Sequence, residues 1–203
     1  MRAYHQTEQP DRLPQALQLA IGGGLYRWVL LPASLGNRKT VQRRPRRPRG
    51  HQHGDAYHVL LYTEGDTDVL LEGRLQPVRP GTLVLSSPGD RHDFAPARPG
   101  TICYSQITFG FFDGNGSPLD APLHEILGAW SGLELEPQGT VVSLDERGAG
   151  DLLAALTRVL DALEGGGAGG QLGARAATAE IFALLVRDVY LPRSARREPG
   201  GRA

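Results

Sequence analysis

The chain has 203 residues, of which 40% are hydrophobic, and its formal net charge is zero. This length suits one ordinary domain with a small appendage, and a neutral chain lacks the basic excess typical of non-specific nucleic-acid binding. No apolar run reaches the roughly 18 residues of a transmembrane helix, residues 1–12 lack the apolar core of a signal peptide, and one cysteine excludes an internal disulfide. We therefore expect a cytoplasmic protein without a membrane partner.

The N-terminal third contains one clear strand. Residues 1–24 are predicted to form an arm, with a short helical turn near 14–20 that three consecutive glycines end. Residues 25–31 have the apolar and aromatic composition of a strand, which Pro32 bounds. Residues 38–49 are strongly basic and contain two prolines, which argue against a helix. This basic segment is either an anion or nucleic-acid contact or a solvated loop or edge strand, and the neutral total charge favours the second reading.

The middle of the chain alternates short apolar runs with Gly, Pro and Asp turn residues. The runs predict strands at 57–63, 68–72, 75–78, 82–86, 92–95, 101–112 and 141–144, with one short helix at 122–130. Closely spaced strands with such turns are typical of a sandwich or barrel and not of a parallel α/β sheet. We therefore expect a mainly β fold with a barrel over residues 25–146.

The composition becomes helical after the last predicted strand. Asp151 is placed to cap a helix, and the apolar residues after it repeat at the spacing of one helical stripe. These residues are Leu152, Leu153, Leu156, Val159, Leu160 and Leu163. Glycine-rich residues 165–170 are predicted to be a flexible link, and a second helix is expected over about 172–190, before Pro192. A helical hairpin at 150–191 would thus precede a disordered tail at 192–203, and its stripes must be buried on the barrel, on each other or on a second copy.

Four of the six histidines lie in one β-rich stretch, at His51, His53, His58 and His92. On a strand the first two face the same way, and a bend at Gly54 would align the third. Inside a small barrel the four imidazoles can meet at one mouth and hold Zn, Fe, Mn, Ni or Cu. The same four residues are equally consistent with polar liners of a ligand pocket or with inherited remnants on the surface. No Ser or Cys lies in a recognisable nucleophile motif, so no catalytic residue is assigned.

Several residues near the histidines have more ordinary interpretations. Asp90 is interpreted as a turn residue, whereas Asp93 is either a turn residue or a carboxylate that orients the His92 ring. Cys103 is expected to be a small core residue. His5 and His124 are expected to lie outside the cluster. The aromatic residues expected in the core or in a pocket wall are Trp28, Tyr62, Tyr104, Phe109 and Phe111.

Two short motifs resemble those of the cupin superfamily. The matching residues are His51-Gln52-His53, His58 and Gly65 for the first motif and Gly81 and Pro88-Gly89-Asp90-Arg91-His92 for the second. His58 stands where the superfamily commonly has Glu. The Pro-Gly-Asp-x-His form is most similar to the ligand-sensing and dimerisation domain of AraC-type transcription regulators. Over about residues 25–190, this resemblance implies a cupin barrel (double-stranded β-helix, or jelly roll) followed by a C-terminal α-helical hairpin.

The resemblance implies a small-molecule ligand held in the barrel against the four histidines, and a homodimer formed through residues 151–190. Ligand binding would shift the arm or the helix pair between two packings. AraC-type regulators carry further helix-turn-helix units, and nothing after Tyr190 is a candidate recognition helix. We therefore expect no direct DNA binding by this chain.

Two other functions remain open from the sequence. One is a metal-dependent cupin enzyme, a dioxygenase or an isomerase, with a histidine-only metal site. The other is a partner that pairs with a full-length regulator through 152–163 and 182–189. The sensor interpretation is preferred because of the resemblance to AraC-type sensor domains, and the replacement of the Glu usual in metal cupins by His58 slightly disfavours the enzyme.

Overall fold

A computed structural model of the chain describes residues 18–21, 23–31, 36–43, 49–97, 100–138 and 141–191. Most of the predicted arm, residues 44–48 of the basic segment and the predicted tail at 192–203 lie outside the described residues. Within the described part, the chain forms ten strands followed or interrupted by three helices.

The strands form two antiparallel sheets. Their bounds are β1 Gln18–Ile21, β2 Gly24–Leu30, β3 Gly36–Arg43, β4 Tyr57–Glu64, β5 Thr67–Leu71, β6 Arg74–Val78, β7 Thr82–Ser86, β8 His92–Asp93, β9 Gly100–Phe112 and β10 Val141–Ser143. The larger sheet has the order β1-β2-β9-β4-β7-β10, with β3 also paired to β9, and the smaller sheet has the order β6-β5-β8. The long strand β9 pairs with β2 and β3 along successive halves of one edge and with β4 along the other.

Strand β4 is buried on both faces, which explains its continuous apolar sequence. Val59 and Leu61 pack into a cluster shared with the helices. Leu60 and Tyr62 face the opposite way, into a second cluster that also contains Val69 of the smaller sheet. The larger sheet therefore separates a helix-covered layer from the interior between the two sheets.

The helices are α1 Leu123–Ser131, α2 Glu146–Gly165 and α3 Gly167–Leu185, and α3 continues into a π-helical turn at Val186–Tyr190. The predicted cap at Asp151 is wrong. Asp145 caps α2 instead, and its Oδ1 accepts a 2.7 Å hydrogen bond from the Gly148 N–H. The helix therefore begins one turn or more before the apolar stripe that revealed it.

The predicted flexible link at 165–170 is also wrong, because α3 begins at Gly167 and includes most of these glycines. Tertiary packing overrides their weak helix propensity. A Cβ atom at Gly170 would lie 2.3 Å from the carbonyl oxygen of Ala162, so only glycine allows α3 to approach α2 this closely.

The mainly β class with a C-terminal helical pair is confirmed, and most predicted strands are found with shifts of one or two residues. The helical turn predicted near 14–20 is wrong for its last residues, because Gln18–Ile21 forms β1 and pairs with β2. The basic segment begins as the strand β3, which pairs with β9, in agreement with the edge-strand alternative. The predicted strand at 92–95 is reduced to two residues.

The expected core aromatics are buried, but in two different places. Trp28, Phe109 and Phe111 belong to the helix-covered cluster. Tyr62 and Tyr104 belong to the cluster between the sheets. Cys103 is buried, as expected for a small core residue. Among the described residues, no helix has both the length and the apolar character needed to cross a membrane.

We predict that Phe182→Ala lowers the free energy of unfolding by about 3–5 kcal/mol, because it removes a fully buried ring from the contact between α3 and the sheet. The Phe182 ring centroid lies 5.6 Å from that of Phe109 and 5.8 Å from that of Trp130. Urea denaturation measures the change. Leu75→Ala on β6 is the control, because Leu75 is 55% exposed and should change stability by less than about 0.5 kcal/mol. Equal losses in the two variants would contradict this packing.

Candidate metal centre

Three separate pieces of backbone bring the four predicted histidines together. His58 is the second residue of β4, His92 begins β8, and His51 and His53 lie in the segment before β4. His51 and His92 oppose each other in an isolated antiparallel bridge, in which each backbone N–H donates to the other's carbonyl, over 2.9 and 2.8 Å. The carbonyl of His53 accepts a 2.7 Å hydrogen bond from the Gly89 N–H. The H-x-H segment is therefore pinned to the turn that precedes His92.

The prediction that the H-x-H pair lies on one strand is wrong. Only His51 takes part in a bridge, and His53 lies outside the strands. The expected bend at Gly54 is present and turns the chain towards β4. The rings meet because of this bend and the bridge, and not because of a regular strand.

The ring nitrogens of His51, His53 and His92 form a compact set in which one ligand atom from each residue lies within 4.8 Å of the others. The ring centroids of His51 lie 4.9 Å from His53 and 4.6 Å from His92. His58 is adjacent, with its ring centroid 4.8 Å from that of His92 and 5.4 Å from that of His53. All four predicted residues thus share one site, in which three imidazoles form the tightest group.

The His92 ring is held with its Nε2 atom free. Its Nδ1 lies 3.0 Å from the carbonyl oxygen of Asp90, and a carbonyl only accepts, so Nδ1 carries the proton and Nε2 carries the lone pair. Ser86 Oγ also lies 3.3 Å from Nδ1. The ring stacks on Phe94 at a centroid distance of 4.3 Å and an angle of 5°. Nε2 is buried and has no hydrogen-bond partner among the described residues, which is the orientation expected of a metal ligand.

His58 lies on the buried side of the site. Its side chain is only 4% exposed, and its Nδ1 lies 3.0 Å from Thr108 Oγ1. The buried Nε2 again has no partner within the described part of the chain. A buried polar atom without a partner is costly, so a ligand atom or an ion at this position would relieve the cost at both His58 and His92.

Burial keeps these imidazoles neutral. Desolvation, reinforced by the neighbouring imidazoles, lowers the pKa of His58 from 6.5 to about 3. Desolvation also lowers the pKa of His92 to about 4, with a further contribution from His51. The pKa of His53 is lowered by burial and then by His51. Near neutral pH the rings therefore carry the lone pairs that metal binding requires.

The acidic residues beside His92 accept hydrogen bonds from backbone N–H groups. Asp90 Oδ2 accepts a 2.7 Å hydrogen bond from the Ser87 N–H, which fits its predicted turn role. Asp93 accepts from the N–H groups of Arg49 at 3.1 Å and Ala95 at 3.2 Å, which ties the H-x-H segment to β8. His124 lies on α1, outside the cluster, and His5 lies outside the described residues.

Sequence reasoning missed three residues that complete the site. Thr108 and Ser86 are the strand partners of His58 on β9 and β7, and both are buried. Phe94 packs against the rings of both His58 and His92, and its carbonyl accepts a 3.0 Å hydrogen bond from Tyr62 Oη. Of these three residues, only Phe94 had a signal in the sequence, which is its position two residues after His92.

Comparison with known proteins gives a family match over most of the chain. The family model described as AraC-like ligand binding domain matches residues 38–185. None of the curated proteins matches the chain.

Similar solved structures are distant. KdgF from Halomonas sp. is 16% identical with a TM-score of 0.26, over 45% of this chain and 73% of that chain. A cupin 2 conserved barrel domain protein from Salinispora arenicola is 14% identical with a TM-score of 0.25, over 45% of this chain and 64% of that chain. An oxalate decarboxylase of Bacillus subtilis with Mn(II) centres is 21% identical with a TM-score of 0.22, over 58% of this chain and 35% of that chain. Likeness at this level carries no argument about function.

We predict that metal-free protein loses stability as the pH falls from 7 to 5, and loses less in His58→Gln. The folded pKa of His58, about 3, lies below the unfolded value of 6.5, so the unfolded state binds more protons in this window. Protonation therefore favours unfolding by about 1–2 kcal/mol at pH 5 for this one side chain. Urea denaturation at both pH values measures the difference. His124→Gln, outside the cluster, should keep the wild-type pH dependence, and an equal loss in His58→Gln would contradict a buried neutral imidazole.

Proposed function

The chain belongs to the family of AraC-like ligand binding domains, and we propose that it binds a divalent transition metal through His51, His53 and His92. The ion would form part of a small-molecule site at the mouth of the barrel. His58 lies beside the three ligands and is the candidate fourth. When bound, the metal would act as a Lewis acid towards an oxygen atom of the small molecule.

One observation carries this proposal: one ring nitrogen of each of three imidazoles lies within 4.8 Å of the others. The buried Nε2 of His92, which has no partner among the described residues, supports it. The donor chemistry supports the same conclusion, because burial lowers the pKa values of His53 and His92 and so keeps these two rings neutral. Neutral imidazole suits Zn, Cu, Fe and Ni, whereas Mn favours oxygen ligands. Of the five metals considered from the sequence, Mn therefore fits this all-nitrogen set least well.

The burial of the three ligands supports an accessible ion. His92 is buried, His53 is half-buried and His51 is exposed. An ion held by them would face the interior through His92 and solvent through His51, so a small molecule could reach it from the mouth. We propose that the ligand is sensed there and that binding changes the packing of the chain, in a regulatory role in the cytoplasm.

A metal-dependent enzyme, a dioxygenase or an isomerase, is the second candidate. The observation that favours it is the three-membered ligand set, because catalytic metal sites keep a coordination position open for substrate. Oxygen consumption by metal-loaded protein in the presence of small hydroxy-carbonyl compounds tests the dioxygenase, and NMR detection of an isomer of the same compounds without oxygen tests the isomerase. Turnover that is lost in the histidine variants described below would favour the enzyme over the ligand sensor.

We also propose that the chain forms a homodimer through residues 151–190. Two large apolar side chains at the helical end support an interface there. Leu172 on α3 is 67% exposed, and Leu191, one residue beyond this range, is 40% exposed. Burial of such side chains against a second copy would be favourable.

We predict that protein purified without a histidine tag carries close to one equivalent of a transition metal per chain. The His51→Ala/His92→Ala double variant should carry less than about a tenth of that, because each substitution removes one imidazole ligand. Elemental analysis by mass spectrometry measures both. His124→Ala is the matched control and should keep the wild-type content. Absence of metal from wild type, also after incubation with Zn²⁺ or Fe²⁺, would overturn the proposal and leave a histidine-lined pocket for metal-free ligands.

We predict that the chain is a dimer at a concentration of tens of micromolar. Its mass measured by light scattering should be near twice the 21.9 kDa of one chain. Leu172→Glu should shift this mass towards the monomer, because it would bury a carboxylate at the interface. Leu75→Glu is the control, since Leu75 is similarly exposed, at 55%, but lies on β6. A wild-type monomer at this concentration would contradict the dimer.

A further inference from the structure

The turn between β5 and β6 contains an unusual residue. Leu71 pairs with Arg74, which leaves Glu72 and Gly73 as a two-residue loop. Their φ angles are +48° and +73°, so both residues occupy the left-handed region, as in a type I′ turn. Asn and Asp are favoured at the first position of such a turn, whereas Glu is not. Within the described part of the chain, Glu72 is the only non-glycine residue with positive φ.

Glu72 holds the residue that precedes His92. Its side-chain Oε1 accepts a 2.5 Å hydrogen bond from the Arg91 N–H, and its own N–H donates to the Arg91 carbonyl over 2.8 Å. Both backbone polar groups of Arg91 are thus bound by one residue. Next to it, Leu71 pairs with His92 across β5 and β8.

Strand β8 needs such support because it is only two residues long, His92–Asp93. A strand this short has few ladder hydrogen bonds of its own. Glu72 lies on one side of it and the bridge to His51 lies on the other. The backbone of His92 is therefore fixed from both sides, and the exposed position of Glu72 means that burial does not explain its presence in the turn.

We propose that Glu72 is a positioning residue for the metal site. Its carboxylate fixes the Arg91 peptide so that the Nε2 atom of His92 faces the rings of His51 and His53. An Asn in the same place would be one methylene shorter, so it would suit the turn but lose the contact with the Arg91 N–H. This inference rests on the proposed function, since it concerns a ligand of the proposed ion.

Three substitutions separate positioning from simple stabilisation of the turn. Glu72→Gln keeps an acceptor of the same length, whereas Glu72→Asn and Glu72→Gly suit the turn better but lose the contact. We expect Glu72→Asn and Glu72→Gly to melt no lower than wild type and yet to bind Co²⁺ about tenfold more weakly in a spectroscopic titration. Glu72→Gln should stay within about twofold of wild type. Wild-type Co²⁺ affinity in Glu72→Asn and Glu72→Gly, or affinities that simply follow melting temperature across the series, would overturn the proposal.

The same variants are compared without metal by NMR, so that the two proposals can fail separately. We expect the Arg91 amide to exchange faster with solvent, and the cross-peaks between the His92 and Phe94 rings to weaken, in Glu72→Asn but not in Glu72→Gln. If wild type binds no Co²⁺, the proposed function fails and these two readouts alone decide the role of Glu72. Unchanged exchange and unchanged ring contacts in Glu72→Asn would overturn it.

Discussion

The pairing of β4 with β9 is the interaction on which the rest of the structure depends. Tyr57 pairs with Phe109 at one end and Glu64 with Cys103 at the other, which satisfies the backbone groups of two strands buried on both faces. Such a pair can be stable only if each face is covered by a different layer. The helices cover one face, and the smaller sheet covers the other.

The register of this pair determines the chemistry of the interior. His58 lies between Thr108 and Ser86, whereas two residues further along β4, Leu60 lies between Gln106 and Val84. Two hydroxyl side chains therefore flank His58, whereas one amide and one apolar side chain flank Leu60, so the imidazoles occupy the more polar end of this strand pair. The same burial that lowers their pKa values leaves two Nε2 atoms without partners in the described chain. Desolvation thus provides both the protonation state and the unmet bonding capacity that support the proposed metal site.

The sequence was sufficient for elements with a strong local pattern. Continuous apolar runs predicted β4, β7 and β9, because strands buried on both faces carry apolar residues at successive positions. The helical stripe predicted α2, but its apolar residues begin only where α2 meets the sheet, so the true cap at Asp145 was overlooked. The start of α3 at Gly167 depends on close packing against α2, and no local propensity indicates that.

The site was predictable in its ligands but not in its support. The motifs identified His51, His53, His58 and His92, and all four lie together. Their supporting residues follow from strand register and turn geometry, which a single sequence does not encode locally. Thr108 is fifty residues from His58 in sequence, and the contact of Glu72 with the Arg91 N–H depends on where two hairpins meet.

The larger sheet also has an evolutionary consequence. The four histidines lie together around His58, which shares with Leu60 and Tyr62 the face of β4 that points away from the helices, while α2 and α3 pack on the other side of the same sheet. Substitutions that remodel the outer helical surface touch none of the imidazoles, and substitutions at the barrel mouth leave the helical layer in place. Selection can therefore change the histidine cluster and the outer helical surface as two independent traits.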